Sequence, residues 1–514
     1  MKTNKLFLIL AAGLFFSCNS STKKTTSTDE PTEQHVLKPN FILLYVDDLG
    51  YADLSSYGAK GVETPNVDHM AKNGVLFTDA HSSAATCTPS RYSLLTGNYA
   101  FRNNAAILPG DAPLLIDTSI VTLPKMLQKA GYTTGVVGKW HLGLGYGKVD
   151  WNKPITPGPG EVGFDYSFLL PATGDRVPTV FMENDTVVNL SQDDPLTVSY
   201  EHKVGNRPLG TERPDLLKMK ADPQHSQTIV NGISRIGYMG GGKSAEWKDE
   251  EFPFVFTEKA IQFIQDNKTT PFFLYFSFHD IHVPRAPNAR FQGASEMGPR
   301  GDAIVQMDWV VGQINTLLEK EDLAKNTILI FTSDNGPVLD DGYMDKAVSM
   351  VGNHKPAGPY RGGKYSIFEG GTRVPMIVYW PGHIKPVKSS AMMNQVDIYA
   401  SLAGLLNTPM GNKVLDSENH IDALLGKTEN GRKIMIEEGF TLAIRDGQWK
   451  YIAPFTSGEI PAWMANKDIE SGLQKQPQLY NLAEDKGEQK NLADQKPELV
   501  EQYANKLKII MDKS

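Results

Sequence analysis

The chain has 514 residues, of which 40% are hydrophobic and 21% are charged, and this composition is typical of a folded globular protein. It is long enough for one large domain with a smaller one beside it. The formal net charge of -8 at pH 7 argues against a nucleic-acid-binding protein, and an anionic ligand would have to be held by cations within its own site.

The N-terminal residues have the three-part pattern of an export signal. Two lysines precede an apolar run, Leu6–Phe16, which is too short for a stable membrane span. The small residue before Cys18 makes the end of this run similar to a bacterial lipoprotein box. We therefore expect a signal in residues 1–18, a disordered tether in residues 19–37, and a periplasmic protein or one anchored in the outer membrane through a lipidated Cys18. A plain signal peptide, with secretion, is the alternative.

Four apolar runs in the body of the chain end abruptly at polar residues. They are Phe41–Val46 before Asp47 and Asp48, "TTGVVG" before Lys139 and His141, Phe272–Phe278 before His279 and His282, and Ile328–Phe331 before Asp334 and Asn335. Val374–Gly382 is a fifth run of the same kind. Continuous hydrophobicity predicts strands buried on both faces, as in a largely parallel sheet covered by helices.

Helical patterns lie between these runs, which completes an α/β arrangement. They are "VDHMAKNG", "TLPKMLQKAG", "FTEKAIQFIQDN" and "AIVQMDWVVGQINTLLEK". Open α/β sheets bind their ligands beyond the carboxyl ends of the strands. We therefore expect the polar residues that follow the four runs to meet in one crevice.

The region of about 150–250 is rich in Gly, Pro and charged residues and does not have the pattern of core strands. Loops over the carboxyl ends of a sheet are where substrate specificity is expected. Candidates for contact with a substrate are Asp175, Arg176, His202 and Arg207.

The last part of the chain predicts a small α+β unit. The segments "TLAIRDGQWKYI" and "PQLYNL" favour a short antiparallel sheet, and "KPELVEQYANKLKIIMDK" favours a terminal helix. Leu499, Tyr503, Leu507 and Ile510 recur on one face of that helix, which predicts that it docks on the sheet. We place a large domain at 38–430 and this smaller one at 431–514.

Asp47, Asp48, Asp334 and Asn335 supply three carboxylates and an amide to the predicted crevice. These hard oxygen ligands favour Ca²⁺ or Mg²⁺ over zinc. Either pair alone is more often a cap or a turn. Their shared position at the ends of two buried strands is what indicates a metal site.

Five cationic or protonatable side chains join the same set: Arg91, Lys139, His141, His282 and Lys364. Cations and a divalent metal together suit a tetrahedral oxyanion such as phosphate or sulfate. Cys87 is the one cysteine of the predicted mature domain and the candidate nucleophile. A thiol is, however, a poor chemical match for a hard cation.

The segment "CTPSRYSLLTG", which begins at Cys87, resembles the sulfatase signature Cys/Ser-x-Pro-Ser-Arg-x-x-x-Leu-Thr-Gly. The similarity covers most of residues 38–514 and includes, in the family's order, "LLYVDDLGYADLSSYG", "LPKMLQKAGYTTGVVGKWHLG", "FTSDNGP" and "YRGGKYSIFEGGTRVPMIVYWPG". The chain is therefore identified as a member of this family, within the alkaline phosphatase superfamily. The resemblance implies an α/β fold with a large, mostly parallel or mixed central sheet flanked by helices.

The resemblance implies that a formylglycine-generating maturase converts Cys87 to Cα-formylglycine. Its hydrated aldehyde is the family's nucleophile and, unlike a thiol, a hard ligand for calcium. The family's Ca²⁺ would be held by the oxygen donors named above, with residue 87 beside it. Arg91 would stabilise the hydrate, and Lys139 would reach both the nucleophile and the sulfate.

The family pattern also implies roles for the remaining residues. Lys364 would hold sulfate oxygens, and His141 would take a proton from the second hydroxyl as sulfate leaves. Of the two histidines in "HDIHVP", His282 aligns with the sulfate-binding one that protonates the leaving oxygen, and His279 would either lie behind the residues that touch the sulfate or face the substrate.

The expected activity is hydrolysis of a sulfate ester on a sugar derived from a polysaccharide, by an exported enzyme of polysaccharide degradation. One alternative is a hydrolase of phosphonate or phosphate esters from the same superfamily. The other is a non-catalytic, calcium-dependent glycan-binding protein at the cell surface.

Overall fold

The computed structural model of the chain describes residues 38–456, 458–465, 467 and 469–513. The export signal, Cys18 and the tether predicted for residues 1–37 lie outside these ranges. Among the described residues, no helix has the length and apolarity needed to cross a membrane.

Ten strands form one mixed central sheet. In chain order they are β1 (Asn40–Val46), β2 (Val75–Phe77), β3 (Thr133–Lys139), β4 (Tyr166–Leu170), β5 (Met182–Glu183), β6 (Thr186–Val187), β7 (Phe272–Ser277), β8 (Thr327–Ser333), β9 (Met376–Tyr379) and β10 (Val387–Ser389). Their spatial order is β10-β2-β9-β8-β1-β7-β3-β4-β5-β6. Neighbours from β8 to β4 run parallel, whereas β9 is antiparallel to β8. This confirms the predicted fold class.

The sequence of β1, "NFILLYV", explains why it lies at the centre of the sheet. All seven of its residues are buried. Ile42, Leu44 and Val46 enter one apolar cluster, while Phe41 and Leu43 enter the cluster on the opposite face. Because strand side chains alternate between faces, only a continuous apolar run can fill two cores at once.

Helices cover both faces of the sheet: α1 (Pro65–Asn73), α2 (Cys87–Thr96), α3 (Leu123–Lys129), α4 (Phe252–Asp266), α5 (Gly298–Lys320) and α6 (Ile398–Leu405). Residues of α1, α4 and α5 pack in the cluster that contains Ile42, and residues of α2, α3 and α6 pack in the other. Single-turn helices lie at Pro159–Val162, Ala347–Met350, Glu369–Thr372, Ile421–Leu424 and Ala462–Ala465.

One expectation about the region of about 150–250 is wrong, because β4 is a core strand of the central sheet. Gly135 of β3 pairs with Tyr166 of β4 in a parallel register. The run "YSFLL" has only five residues between Asp165 and Pro171, so its hydrophobic signal is short. β5 and β6, of two residues each, continue the central sheet beyond β4. The rest of the region fits the prediction of loops, with two short ladders: Thr197–Ser199 with Tyr238–Gly240, and Ile229–Val230 with Ile233–Ser234. A third ladder joins Ala80–His81 to Met393–Asn394.

The C-terminal part contains the predicted antiparallel sheet and terminal helix. The strands are β11 (Ile434–Glu438), β12 (Leu442–Asp446), β13 (Trp449–Ile452) and β14 (Gln478–Asn481), and the helix is α7 (Pro497–Met511). Tyr503 and Leu507 of α7 are buried against Ile436 and Ile444, in a cluster that also contains Tyr99 of the main body. The boundary at residue 430 stays a prediction.

A buried ion network joins the C-terminal sheet to the segment after β8. Glu369 accepts hydrogen bonds from Lys450 at 3.2 Å and from Arg445 at 3.0 Å. Lys450 also lies 2.9 Å from Glu437, and the Lys450, Glu369 and Glu437 side chains are fully buried. Paired charges of this kind hold two surfaces in one relative position, because breaking one pair leaves an uncompensated charge in a dry interior.

Candidate active site

The polar residues that follow β1, β3 and β8 meet at the carboxyl edge of the parallel strands, as the sequence predicts. Lys139, the last residue of β3, donates a hydrogen bond to Asp47 at 2.6 Å. Asn335 donates from its side-chain nitrogen to Asp48 at 2.8 Å. The exposed fraction of Asp47, Asp48, Asp334 and Asn335 is 0%.

Helix α2 brings Cys87 and Arg91 to this edge. Cys87 is its first residue, and Arg91 lies on the same side of the helix four residues later. The Arg91 guanidinium donates to Asp334 from Nη2 at 2.7 Å and from Nε at 3.0 Å. All ten residues of α2 are buried, so the helix is fixed in place by packing on every side.

Gly138, directly before Lys139, allows β3 to approach β7. Its φ is +110°, and a Cβ there would lie 1.9 Å from the carbonyl oxygen of Ser277. Only glycine has no side chain to meet that oxygen. This close approach of β3 to β7 brings Lys139, the next residue, within hydrogen-bonding distance of Asp47.

The carboxylates have the properties of a cation site. Asp47, Asp48 and Asp334 each offer an oxygen, and the three oxygens lie within 4.8 Å of one another. Among the described atoms, Asp47 Oδ1 and Asn335 Oδ1 are buried without a hydrogen-bond partner. Burial, opposed by Lys139, raises the pKa of the Asp47 carboxyl well above its usual value. A bound hard cation would satisfy both orphaned oxygens and stabilise the ionised carboxylate, so the donor set fits Ca²⁺ or Mg²⁺.

His141 faces Cys87 with the nitrogen that can accept a proton. Its Nε2 lies 2.9 Å from the carbonyl oxygen of Leu108, which can only accept a hydrogen bond, so Nε2 carries the hydrogen. Nδ1 is then unprotonated and lies 3.2 Å from Cys87 Sγ. Burial, with Lys139 and Arg176 adding to it, lowers the pKa of His141 well below its usual value.

The two histidines after β7 differ in what they contact. His279 Nε2 accepts a hydrogen bond from the backbone N–H of Gly174 at 2.7 Å. His282 Nδ1 donates to the carbonyl oxygen of Val283 at 2.7 Å, and its Nε2 lies 3.9 Å from Asp48. His282 lines the cavity at this edge of the sheet, and His279 is not among the lining residues.

Lys364 connects the carboxylate cluster to the cavity wall. Its Nζ donates to Asp48 at 2.9 Å and to Asp341 at 3.0 Å. Asp341 also lies 3.5 Å from Lys467. The ammonium of Lys364 is therefore held between two carboxylates in the wall of the cavity.

The cavity has a volume of about 300 Å³. Six of the predicted residues line it: Cys87, His141, Asp175, Arg176, His282 and Lys364. Lys139 and Arg91 are buried beside it and hold Asp47 and Asp334. The lining therefore brings the candidate nucleophile, His141, His282 and two of the cations around one space that is large enough for a sulfated monosaccharide.

Several lining residues were missed by the sequence analysis. They are Tyr200, His225, Asp341, Tyr365, Trp463 and Lys467. His225 lies 3.4 Å from Asp175 and 2.7 Å from Asp222, so it belongs to the chain of charges that fixes Asp175. These residues come from loops and from the C-terminal part, and none follows a predicted strand.

His202 and Arg207 do not line the cavity. Arg207 is paired with Glu246 at 2.6 Å, and His202 borders a separate surface cavity with Trp151 and Val204. The geometry thus supports Asp175 and Arg176 as substrate candidates and gives no such support to His202 or Arg207.

Three residues of the site have a left-handed backbone: Asp48 at φ 58°, His141 at φ 52° and Tyr365 at φ 71°. Residues other than glycine seldom adopt this conformation, and where they do it is concentrated at functional positions. The three strained positions hold a carboxylate of the buried cluster, the imidazole beside Cys87 and an aromatic ring in the cavity wall.

Histidines also take part in two further groups with metal-ligand spacing. Asp47 lies with His279 and His282, and Asp48 lies with His282 and Asp341. Both groups share a carboxylate with the oxygen-donor cluster. His282 Nδ1 donates to a backbone carbonyl, which leaves its Nε2 able to accept from or bind a ligand. His279 Nε2 accepts a hydrogen bond from Gly174, so its Nδ1 carries the hydrogen and is not a metal ligand while that bond is kept.

Comparison with known proteins gives a consistent result. A family model described as Sulfatase matches residues 39–408. The chain is 50% identical over 508 residues to N-acetylgalactosamine-6-O-sulfatase of Bacteroides thetaiotaomicron, covering 98% of both chains. It is 32% identical over 428 residues to N-acetylgalactosamine-6-sulfatase of Mus musculus, covering 80% of this chain and 71% of that one.

A solved structure from work on the metabolism of multiple glycosaminoglycans by Bacteroides thetaiotaomicron is similar throughout. It superposes with a TM-score of 0.90 at 51% sequence identity and covers 92% of this chain and 99% of that one.

Proposed function

The chain belongs to the sulfatase family and is a sulfuric ester hydrolase, and on that basis we propose that it removes the 6-O-sulfate of N-acetylgalactosamine. The substrate is supported by the relative that is 50% identical over nearly the whole chain. Membership of an enzyme family argues against the non-catalytic glycan-binding alternative. The observation that supports this reaction is that Cys87, His141 and the carboxylate cluster lie together at one cavity.

In this proposal Asp47, Asp48, Asp334 and Asn335 hold a calcium ion. When bound, Ca²⁺ supplies positive charge that stabilises the charge developing on the sulfate oxygens. Lys139 and Lys364 add two ammonium groups beside the same cluster, and each is already held by a carboxylate. They orient the sulfate and add to the electrostatic stabilisation without having to reorganise.

We propose that Cys87 is converted by a maturase to Cα-formylglycine. Burial raises the pKa of the Cys87 thiol, so the unmodified side chain is a neutral thiol at pH 7 and a weak nucleophile. The hydrated aldehyde would instead supply a hydroxyl that is compatible with a hard cation. Arg91, one turn along α2, would fix the orientation of this group.

His141 is the base that acts on residue 87. Its unprotonated Nδ1 points at the side chain of that residue, and its Nε2–H is held by Leu108. The lowered pKa of His141 keeps the ring neutral and ready to accept a proton. In this role it takes the proton of the second hydroxyl as sulfate departs and the aldehyde re-forms.

His282 is placed to protonate the bridging oxygen of the sugar sulfate. Its Nδ1 is committed to Val283, so Nε2 is the atom that faces the cavity. Burial, together with Lys364 and Lys139, lowers the pKa of His282 well below its usual value. A bound sulfate would oppose the two lysines, raise that pKa and allow Nε2 to carry the proton.

Asp175 and Arg176 are proposed to bind the hydroxyl groups of the sugar. Arg176 donates to Asp175 at 2.8 Å, and both line the cavity beside His282. Charged groups fixed in this way recognise hydroxyls at defined angles, because neither side chain can rotate without losing its partner.

Replacing His282 with alanine is expected to lower kcat on the sugar sulfate by about 10²–10⁴-fold. The loss should shrink on an activated aryl sulfate, whose phenolate leaves without a proton. Kinetics on the two substrates measure the difference.

His279→Ala is the matched control, because His279 supports the backbone of Gly174 and does not line the cavity. We expect it to raise KM through a shift of the neighbouring Asp175 while kcat changes little. An inactive His279→Ala beside an active His282→Ala would reverse the two assignments.

The substrate class is tested by parallel assays of the mature enzyme. The panel contains 6-O-sulfated and 4-O-sulfated N-acetylgalactosamine, 6-O-sulfated N-acetylglucosamine, and phosphate and phosphonate esters of the same alcohol. We expect turnover of the 6-O-sulfated galacto-configured sugar to exceed that of every other compound. Faster release of phosphate or phosphonate would favour the alternative hydrolase of the superfamily.

We also propose that the enzyme acts after export, in the periplasm or on the outer membrane. The apolar N-terminal run and the small residue before Cys18 support this placement.

A further inference from the structure

A second cavity lies next to the active-site cavity and shares its wall. It has a volume of about 480 Å³, and Ile107 and Trp463 line both cavities. Its other walls come from Thr86 and Pro89 around the start of α2 and from the turn after β11. Ile107 and Trp463 therefore lie at the boundary between the two cavities, and a ligand larger than a monosaccharide bound in the first would lie beside the second.

The turn after β11 is held in a strained conformation that presents an aromatic ring to this second cavity. Phe440 has φ 62°, which is rarely found for a bulky side chain. Gly439 before it has no room for a side chain, since a Cβ there would lie 3.0 Å from the Cα of Ile367. Backbone strain maintained by its surroundings is a mark of ligand-binding positions.

The lining combines three aromatic rings, those of Phe101, Phe440 and Trp463, with aliphatic side chains and a few polar groups. The ring centroids of Phe440 and Trp463 are 6.4 Å apart, and Trp463 packs edge-on against Tyr365 at 4.8 Å. Asn104, Glu438 and Thr441 add hydrogen-bonding groups. Sugars present apolar C–H faces and hydroxyl edges, and such a lining matches both.

The charge of the second cavity differs from that of the first. Among the described residues that line it, Glu438 is the only ionisable side chain. Burial raises the pKa of the Glu438 carboxyl to about 7, which indicates a poorly solvated environment. The active-site cavity, by contrast, contains Arg176, Lys364 and Lys467.

We propose that this second cavity is a binding subsite for an uncharged sugar linked to the sulfated one, with Phe440 and Trp463 as its aromatic walls and Glu438 as a hydrogen-bonding partner. This rests on the proposed function, because it places the sulfated sugar in the first cavity. A uronic acid or a second sulfate would lose solvation there and find no lining cation to pair with, so the subsite selects against acidic neighbours.

The test compares three forms of 6-O-sulfated N-acetylgalactosamine. One is the free monosaccharide, the second is linked through O1 or O3 to an uncharged hexose, and the third is linked in the same ways to a hexuronic acid. We expect kcat/KM for one neutral disaccharide to exceed that of the monosaccharide by about fivefold to tenfold. The uronic acid compounds should show no such gain.

Two variants test whether the gain in kcat/KM depends on the residues of the second cavity. Phe440→Gly removes the ring at a backbone angle that glycine tolerates, and should abolish the gain while leaving the monosaccharide rate within about twofold. Glu438→Gln keeps the shape and should raise kcat/KM for the uronic acid compounds while the neutral one keeps its gain. Tyr146→Ala, a change to an aromatic residue that is 88% exposed, is the control and should alter none of these ratios.

The outcomes separate this inference from the proposed function. Turnover of the monosaccharide without any gain from a neutral neighbour, or equal losses on all substrates in Phe440→Gly, would overturn the subsite. If no sulfated sugar is turned over, the proposed function fails instead. Calorimetric titration of unsulfated neutral disaccharides into wild type and Phe440→Gly then still decides the subsite, which requires tighter binding to wild type.

Discussion

Replacing Cys87 with alanine is expected to abolish turnover of every sulfate ester while the protein stays folded. Alanine lacks the C–S bond that the maturase breaks when it oxidises Cβ to the aldehyde, so residue 87 can supply neither an aldehyde nor its hydrate. Cys87 is the first residue of α2, and its side chain contacts His141 at the cavity rather than filling the apolar core. The thermal midpoint should therefore change little.

The loss is measured with an activated aryl sulfate, because its phenolate leaves without a proton from His282 and the rate therefore does not depend on a leaving-group acid. The matched control is wild type produced without the maturase, which keeps the thiol and should be equally inactive. Mass spectrometry of the peptide that contains residue 87 reports the fraction converted, and activity should scale with that fraction. Full activity in a preparation that contains only the thiol would refute the formylglycine proposal.

Asp334→Asn is expected to remove the calcium response and to lower activity by at least about 10²-fold. The amide keeps the size of the side chain but removes one of three clustered negative charges. It also leaves the buried guanidinium of Arg91 without the carboxylate that lies 2.7 Å away. Calcium-dependent thermal stabilisation and the metal content of the purified protein are measured, so the result does not depend on activity alone.

Asp397→Asn is the control for this second result. Asp397 is a buried carboxylate bound to Arg432 at 2.7 and 2.9 Å, an equally close arginine pair that is not part of the carboxylate cluster. It should destabilise the protein by a comparable amount and leave the calcium response in place. A normal calcium response in Asp334→Asn, or full activity of exhaustively chelated wild type, would contradict the metal assignment.

The positions after the parallel strands were predictable because strand direction alone brings them together. Asp47 and Lys139 are 92 residues apart, and yet each follows a continuous apolar run, which places both at the same edge of the sheet. The contact between Cys87 and His141 follows from the same rule combined with the family signature. A continuous apolar run thus predicts which residues far apart in the sequence lie close together, provided that the runs form parallel strands of one sheet.

The walls of the cavity could not be predicted in this way. Asp341 and Lys467 lie in irregular segments and Trp463 lies in a single-turn helix, and the course of such segments depends on packing rather than on any period in the sequence. Trp463 and Lys467 belong to the connection between β13 and β14, and nothing in its composition indicates that it reaches the catalytic crevice. β4 was missed for a related reason, since five apolar residues are too few to show a continuous run.

The ion network around Glu369 limits how this chain can be recombined with other sulfatases. Lys450 and Arg445 belong to the C-terminal sheet, whereas Glu369 belongs to the body, so a chimera that exchanges residues 431–513 replaces one member of the Lys450–Glu369 and Arg445–Glu369 pairs. An incoming sheet without these charges would strand a carboxylate in a dry interior, at a cost of about 3–5 kcal/mol for each broken pair. The same exchange would also replace Trp463 and Lys467, which line the active-site cavity. Exchanging this segment would therefore change both the wall that contacts the substrate and the fit between the C-terminal part and the body.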